Sequence, residues 1–183
     1  MINICDLMHK KLYFYTHVRA FTKFLQRYYN GLSLDGCEVG VSAGVNSKNM
    51  CAYLNINKLY CVDSYCNSEQ GNFKNHKLYA RKLLQCYPVT WLYFDSVEAA
   101  SKIIDDSLDF VYIDASHKYP DVKNDINNYY PKVKHGGVVG GHDYCSAYKS
   151  VIKAVDEFAV VNSLDVSSKS GDWWIVKEKL IGE

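Results

Sequence analysis

Short apolar runs alternate with amphipathic stretches along almost the whole chain. The clearest run is 108–114, Leu-Asp-Phe-Val-Tyr-Ile-Asp. Its nearly continuous apolar content suits a strand covered on both faces, as in a parallel sheet. Shorter runs at 36–41, 58–63, 89–94 and 138–141 predict four more strands. Residues from about Lys11 to Tyr29 carry Tyr15, Val18, Phe21, Phe24, Leu25 and Tyr28 on one stripe, which predicts a helix. Further helices are expected from about Ser47 to Tyr53 and, after a polar loop over Ser64–Asn75, up to about Cys86. Three more are expected at Val97–Ile104 with Ser96 as N-cap, from near Pro120 to near Lys134, and over Ala147–Ala159. Gly136-Gly137 interrupts the pattern before the fifth strand. Two last strands, around 163–168 and 172–177, predict an antiparallel hairpin turning at Lys169-Ser170-Gly171. Strands alternating with helices predict an α/β sheet with helices on both faces.

Composition narrows this little. A chain of 183 residues with 48% hydrophobic content suits one domain, residues 1–183, with residues 1–31 as an N-terminal helical segment. Basic and acidic residues balance to a net charge of +1, so electrostatics gives no reason to expect a nucleic-acid or membrane-surface partner. A homodimer is compatible with the sequence. No apolar run reaches the ~18–20 residues of a membrane span, and the N-terminus lacks the order of a secretory signal, so the cytoplasm is the expected compartment. The seven cysteines are odd in number and have no Cys-x-x-Cys pair, which argues against a disulfide framework or structural zinc.

Chemistry concentrates where strands end, since open α/β sheets bind ligands beyond the carboxyl ends of their strands. The first such place is Glu38-Val-Gly40-Val-Ser42-Ala-Gly44-Val-Asn46. Its glycines allow a tight turn, and Glu38 can accept hydrogen bonds from a cationic amino group. The dinucleotide fingerprint is absent, because the third glycine is missing. Asp63 ends the second strand, where a carboxylate suits a ribose diol. Asp95-Ser96 follow the third strand and suit either an adenine edge or an ordinary helix start. Asp114, His117, His142 and Asp143 end the fourth and fifth strands. His117 is either a general base or a cap for the helix near Pro120, and His142 either a ligand or a packed histidine.

The run Asp109-Phe-Val-Tyr-Ile-Asp114-Ala-Ser-His117-Lys-Tyr119-Pro, followed by Gly136-Gly-Val-Val-Gly-Gly-His142-Asp143-Tyr144, resembles the class I S-adenosylmethionine-dependent methyltransferases. Within that class it is similar to the small-molecule O-methyltransferase group, which includes the catechol type and methyltransferase family 24. Glu38-Val-Gly40-Val-Ser42-Ala-Gly44 is similar to that group's first motif, so the matches run in order over about residues 36–144.

The resemblance implies a Rossmann-like seven-stranded sheet in the order 3-2-1-4-5-7-6 with its last strand antiparallel. It implies S-adenosylmethionine bound by Glu38, Gly40, Ser42, Gly44, Asn46, Asp63, Asp95, Ser96 and Asp114. His117 and Asp114 occupy catalytic positions, with His117 where catechol-type members carry a lysine base. Asp114, His142 and Asp143 are the matching set for a divalent metal, Mg²⁺ or Mn²⁺, although His142 departs from the family's all-oxygen pattern. The expected activity is O-methylation of a small molecule, with the acceptor covered by Met1–Gly31 and Ser64–Asn75. Two other readings remain at this point: a cofactor-binding regulatory module without transfer activity, and a hydroxylase-like relative on the same fold. Turnover of bound cofactor with an acceptor separates them. A nicotinamide oxidoreductase is disfavoured by the missing glycine.

Overall fold

The computed structural model describes residues 18–66 and 74–178. The expected helical positions 11–17, Tyr15 among them, and loop residues 67–73 lie outside these. The elements run α1 (Ala20–Tyr29), β1 (Leu34–Val39), α2 (Val45–Tyr53), β2 (Ile56–Val62), α3 (His76–Leu83), β3 (Val89–Leu92), α4 (Ser96–Ala100) and β4 (Leu108–Ile113). After these come α5 (Tyr119–Tyr129), a 3₁₀ turn (Tyr130–Lys132), β5 (Val133–Gly141), α6 (Lys149–Val161), β6 (Ser167–Lys169) and β7 (Asp172–Val176). The strands form one sheet in the order β3-β2-β1-β4-β5-β7-β6. The first five are parallel, and β7 runs antiparallel to both β5 and β6.

Period-two alternation divides the core into two layers. Cys37, Val39, Val111, Ile113 and Val139 face α5 and α6, packing on Val122, Ile126, Val151 and Val155. Phe110, Tyr112 and Val138 face the other way, toward Phe21 and Leu25 of α1, with Met50 of α2 in the same layer. Two glycines on this second face make room for aromatic rings. A Cβ on Gly36 would lie 2.1 Å from the Phe110 ring, and one on Gly140 would lie 2.3 Å from the Phe21 ring. Phe21 therefore presses α1 directly onto β5, which fixes the residues just before it over the carboxyl end of β4 and the start of β7.

Several boundaries differ from the expected ones for local reasons. The N-cap of α4 is Asp95, whose carboxylate accepts from Glu98 N at 2.8 Å, and the helix stops at Ala100 rather than Ile104. Helix α5 ends at Tyr129 because Pro131 cannot donate the next helical hydrogen bond. Strand β5 begins at Val133 and carries Gly136 (φ +76°) through an irregularity in its register with β4, so the glycines mark a bulge rather than a break. The hairpin turns on two residues, Ser170 (φ +55°) and Gly171 (φ +84°), the left-handed pair that tight hairpins favour. The six cysteines among the described residues are all free thiols. Among the described residues no helix is long and apolar enough to cross a membrane.

Candidate active site

Strand order reverses between β1 and β4, and the functional residues collect at the carboxyl ends on either side of that point. The last backbone rung of each strand pair pins them. Gly40 N donates to Val62 O, Asp63 N to Leu92 O, Asp114 N to Val39 O and His142 N to Ile113 O. Each loop thus leaves the sheet from a fixed point.

The glycine turn is held by its neighbours as much as by its own conformation. Gly40 has φ +92°, and a Cβ there would lie 2.1 Å from Asp114 O. Ser42 also has positive φ, +51°. Three contacts lock it: Ser42 N donates to Asp63 Oδ2 (2.8 Å), its carbonyl accepts from the Tyr65 hydroxyl (2.9 Å), and Ser42 Oγ lies 2.9 Å from His76 Nδ1. Asp63 takes a second backbone donor, Tyr65 N, at 2.8 Å. Glu38 is buried and bonded to Asn46 Nδ2 (2.9 Å) and to the Ser47 hydroxyl. Burial pushes its carboxyl up to about 7 against those two hydrogen bonds. Asn46 Oδ1 is left buried without a partner. Gly44 packs on Ala80 of α3, and Asp95 and Ser96 head α4 beyond β3. Ser96 O accepts from the buried Tyr129 side chain at 2.9 Å.

At the ends of β4 and β5, Asp143 stands between two imidazoles. His117 Nε2 is 2.6 Å from Asp143 Oδ2, and His142 Nδ1 is 3.0 Å from Asp143 Oδ1. The left-handed backbone of Asp143, φ +61°, turns its carboxylate so that both rings reach it. The His117 ring also packs on Tyr148, 4.4 Å between centroids, and its carbonyl accepts from Ser150 Oγ at 2.5 Å. Helix α5 has Lys118 as N-cap with no side-chain cap, so capping does not account for His117. Ligand atoms of Asp114, His117 and Asp143 lie within 4.8 Å of one another, a grouping able to hold a metal ion. The set differs from the expected one: His142 turns aside, its Nε2 facing Asp172 Oδ1 at 4.0 Å, and His117 stands in its place. A cavity of about 10 Å³, room for roughly one water-sized occupant, is lined by Asp114, His117, His142 and Trp173 among others.

Two residues not singled out in the sequence belong to this site. Asp172 is buried at the start of β7, where Phe21 N (2.9 Å) and Tyr112 OH (2.8 Å) donate to it. A carboxylate opening an otherwise apolar strand was the available signal, because a buried charge requires partners. Arg19, ahead of α1, donates to Asp114 Oδ2 at 3.1 Å and lies 3.6 Å from Asp172 Oδ1. Burial pushes Asp114 above the ordinary carboxylate range, and the Arg19 guanidinium is the largest opposing influence.

The sequence profile of a methyltransferase-domain family, family 24, matches residues 37–144, which hold the glycine turn, Asp63, Asp114 and both histidines. The chain belongs to this methyltransferase family. No curated protein sequence matches the methyltransferase significantly. Solved structures share its fold. A Staphylococcus aureus protein provisionally assigned as a caffeoyl-CoA O-methyltransferase is 16% identical, with a TM-score of 0.68 over 96% of this chain and 92% of that one. The O-methyltransferase NovP is also 16% identical, with a TM-score of 0.65 over 87% and 80%. MycE, a methyltransferase of the mycinamycin pathway solved with Mg and S-adenosylhomocysteine, is 13% identical, with a TM-score of 0.61 over 93% and 54%.

As a member of this family the protein is an S-adenosylmethionine-dependent methyltransferase of class I fold. Its residues fit that donor: Asn46 offers a buried acceptor with no partner beside the glycine turn, and each Asp63 oxygen, bonded once to backbone, retains a lone pair for a diol.

Proposed function

We propose that the methyltransferase transfers its methyl group to a hydroxyl oxygen of a small-molecule acceptor, with His117 as general base. The observation that carries this reading is the 2.6 Å pair between His117 Nε2 and Asp143 Oδ2, beside Asp114 at the ends of β4 and β5. A base oriented by a carboxylate is the arrangement hydroxyl activation requires. With Nε2–H donated to Asp143, Nδ1 is the ring nitrogen that accepts the acceptor's proton, and Asp143 stabilises the imidazolium that results. Asp63 holds the ribose, Asp95 and Ser96 meet the adenine, and Gly40, Ser42 and Gly44 shape the turn that approaches the donor. Glu38 is buried and acts through Asn46, whose amide it holds at 2.9 Å. S-adenosylmethionine supplies a methyl carbon on a sulfonium, an already activated electrophile, so positioning and proton removal are what the chain must add.

The grouping of Asp114, His117 and Asp143 supports a second reading, in which these residues hold a divalent cation that lowers the hydroxyl's pKa. A mixed nitrogen–oxygen set favours Mn²⁺, Fe²⁺ or Zn²⁺ over Mg²⁺. Transfer of labelled methyl to a panel of hydroxylated small molecules tests both readings. Label is expected on oxygen; label found only on nitrogen or carbon overturns the first. Full activity in excess chelator supports His117 as base alone, whereas loss of activity restored by Mn²⁺ supports the cation. Bound donor without turnover on any acceptor returns the chain to a regulatory role.

A further inference from the structure

Two helices that start beside the active site end together at the far end of the sheet. Helix α1 runs from beside Asp114 to Tyr29, and α2 runs from the glycine turn to Tyr53. Between their C-termini, at the amino end of β1, opens a cleft of about 300 Å³. The six residues of β1, each rising roughly 3.3 Å, separate it from the glycine turn. Buried Leu25, Leu34 and Leu54 form its floor, and Tyr29 and Tyr53 stand in its wall. Tyr29 is held in place, since its hydroxyl donates to Asp109 O at 2.6 Å and its ring meets the Tyr28 ring edge-on, 5.0 Å between centroids. The loops on either side are tied to each other: Leu34 N donates to Asn55 O at 2.9 Å, and Asn55 Nδ2 to Gly31 O at 3.2 Å. The cleft is therefore preformed, at the lower end of the sizes that hold small molecules.

The lining selects the charge of the occupant. None of the residues around the cleft is acidic or basic. The local field comes from backbone instead. A helix C-terminus leaves carbonyls without helical partners and carries a partial negative charge, and two such ends meet here. No basic residue stands in the last turn of α2 to offset it. Arg27 stands in the last turn of α1, but it is exposed and takes no part in the lining. Tyrosine rings act in the same direction, since they attract cations to their faces. An anion meets the wrong sign here, and an uncharged hydrocarbon uses only the leucines. We propose that this cleft binds an organic ammonium ion with an apolar body of one or two rings. The ammonium lies at the carbonyl ends of α1 and α2, and the rings lie on the leucine floor. The site is at the other end of the strands from Asp63 and Asp114, so it is separate from the positions of methyl donor and acceptor.

Three compounds with one ring system and different charge serve as probes: tryptamine, 3-ethylindole and indole-3-propionate. Calorimetric titration of the full chain at neutral pH is expected to rank them in that order, with tryptamine about 10-fold tighter than indole-3-propionate. Leu32 and Tyr53 line the cleft and are 65% and 49% exposed, so replacing them leaves the core intact. Leu32→Lys is expected to weaken tryptamine about 2- to 5-fold, and Leu32→Glu to strengthen it by a similar factor. Tyr53→Ala is expected to weaken it about 3- to 10-fold. Opposite shifts from one position are a response to charge that a merely structural role does not produce. Absence of tryptamine binding, or binding no tighter than that of indole-3-propionate, overturns the inference. Tryptamine affinity unaltered in all three variants also overturns it, because the amine then binds elsewhere, and so do shifts of the same sign in Leu32→Lys and Leu32→Glu.

Discussion

His117 and Asp143 form one device with separable halves. Removing the imidazole in His117→Ala removes the proton acceptor, so kcat is expected to fall by roughly 10²–10⁴ while S-adenosylhomocysteine affinity stays within about twofold. Asp143→Asn keeps the ring and withdraws the charge that orients it, so a smaller fall in kcat is expected, again with little change in donor affinity. Steady-state kinetics paired with calorimetry checks both. Retained kcat with a lowered melting temperature in His117→Ala would make the histidine a packing residue. Glu38 gives a prediction about stability. Its carboxyl, ordinarily near 4.5, is pushed up to about 7 by burial, so between those pH values the folded state holds a proton that the unfolded state has released. That contribution is fully present below the unfolded value and is lost as pH rises through the folded one, on the order of 3 kcal/mol in all. Glu38→Gln is expected to flatten this part of the curve. Denaturant melts of both proteins from pH 4.5 to 8 would show it as a difference that grows up to about pH 7 and then levels. A constant difference would contradict it.

Elements set these side chains through the rungs that end each strand. Gly40 is where β1 meets the end of β4, and its φ of +92° combines with the 2.1 Å approach of a Cβ to Asp114 O. Gly40→Ala is therefore expected to destabilise the fold by more than about 2 kcal/mol and to weaken donor binding, because backbone must move in the β1–α2 turn and at Asp114 together. Thermal melts and donor titration of that variant check the claim, and a stable variant with native affinity would refute it. The elements were largely legible in the sequence, since period-two and helical stripes report burial directly. Strand β4 reads almost as it folds. The misplaced ends have local causes that apolar pattern does not carry: the stop at Pro131, the bulge at Gly136, and Asp95 rather than Ser96 as the cap. Sequence adjacency also gave no direction for His142. The left-handed turn at Asp143 sends the two histidines to opposite oxygens of one carboxylate, and His117 joins Asp114 instead. Arg19 escaped because its partners lie 95 and 153 residues away along the chain.

The sheet order brings the carboxyl ends of five parallel strands to one edge and leaves the N-terminal end of α1 beside them. The chain's near-zero net charge puts the recognition burden on that local arrangement rather than on long-range attraction. We place S-adenosylmethionine at the turn over Gly40–Asn46 and at the carboxylate of Asp63. Calorimetry with S-adenosylhomocysteine and NAD, on wild type and Asp63→Ala, tests it most directly. The expected result is clear preference for S-adenosylhomocysteine in wild type and a loss of about 1–3 kcal/mol in Asp63→Ala, whose ribose diol lacks its acceptor. Tighter binding of NAD, or unaltered S-adenosylhomocysteine affinity in Asp63→Ala, would contradict it.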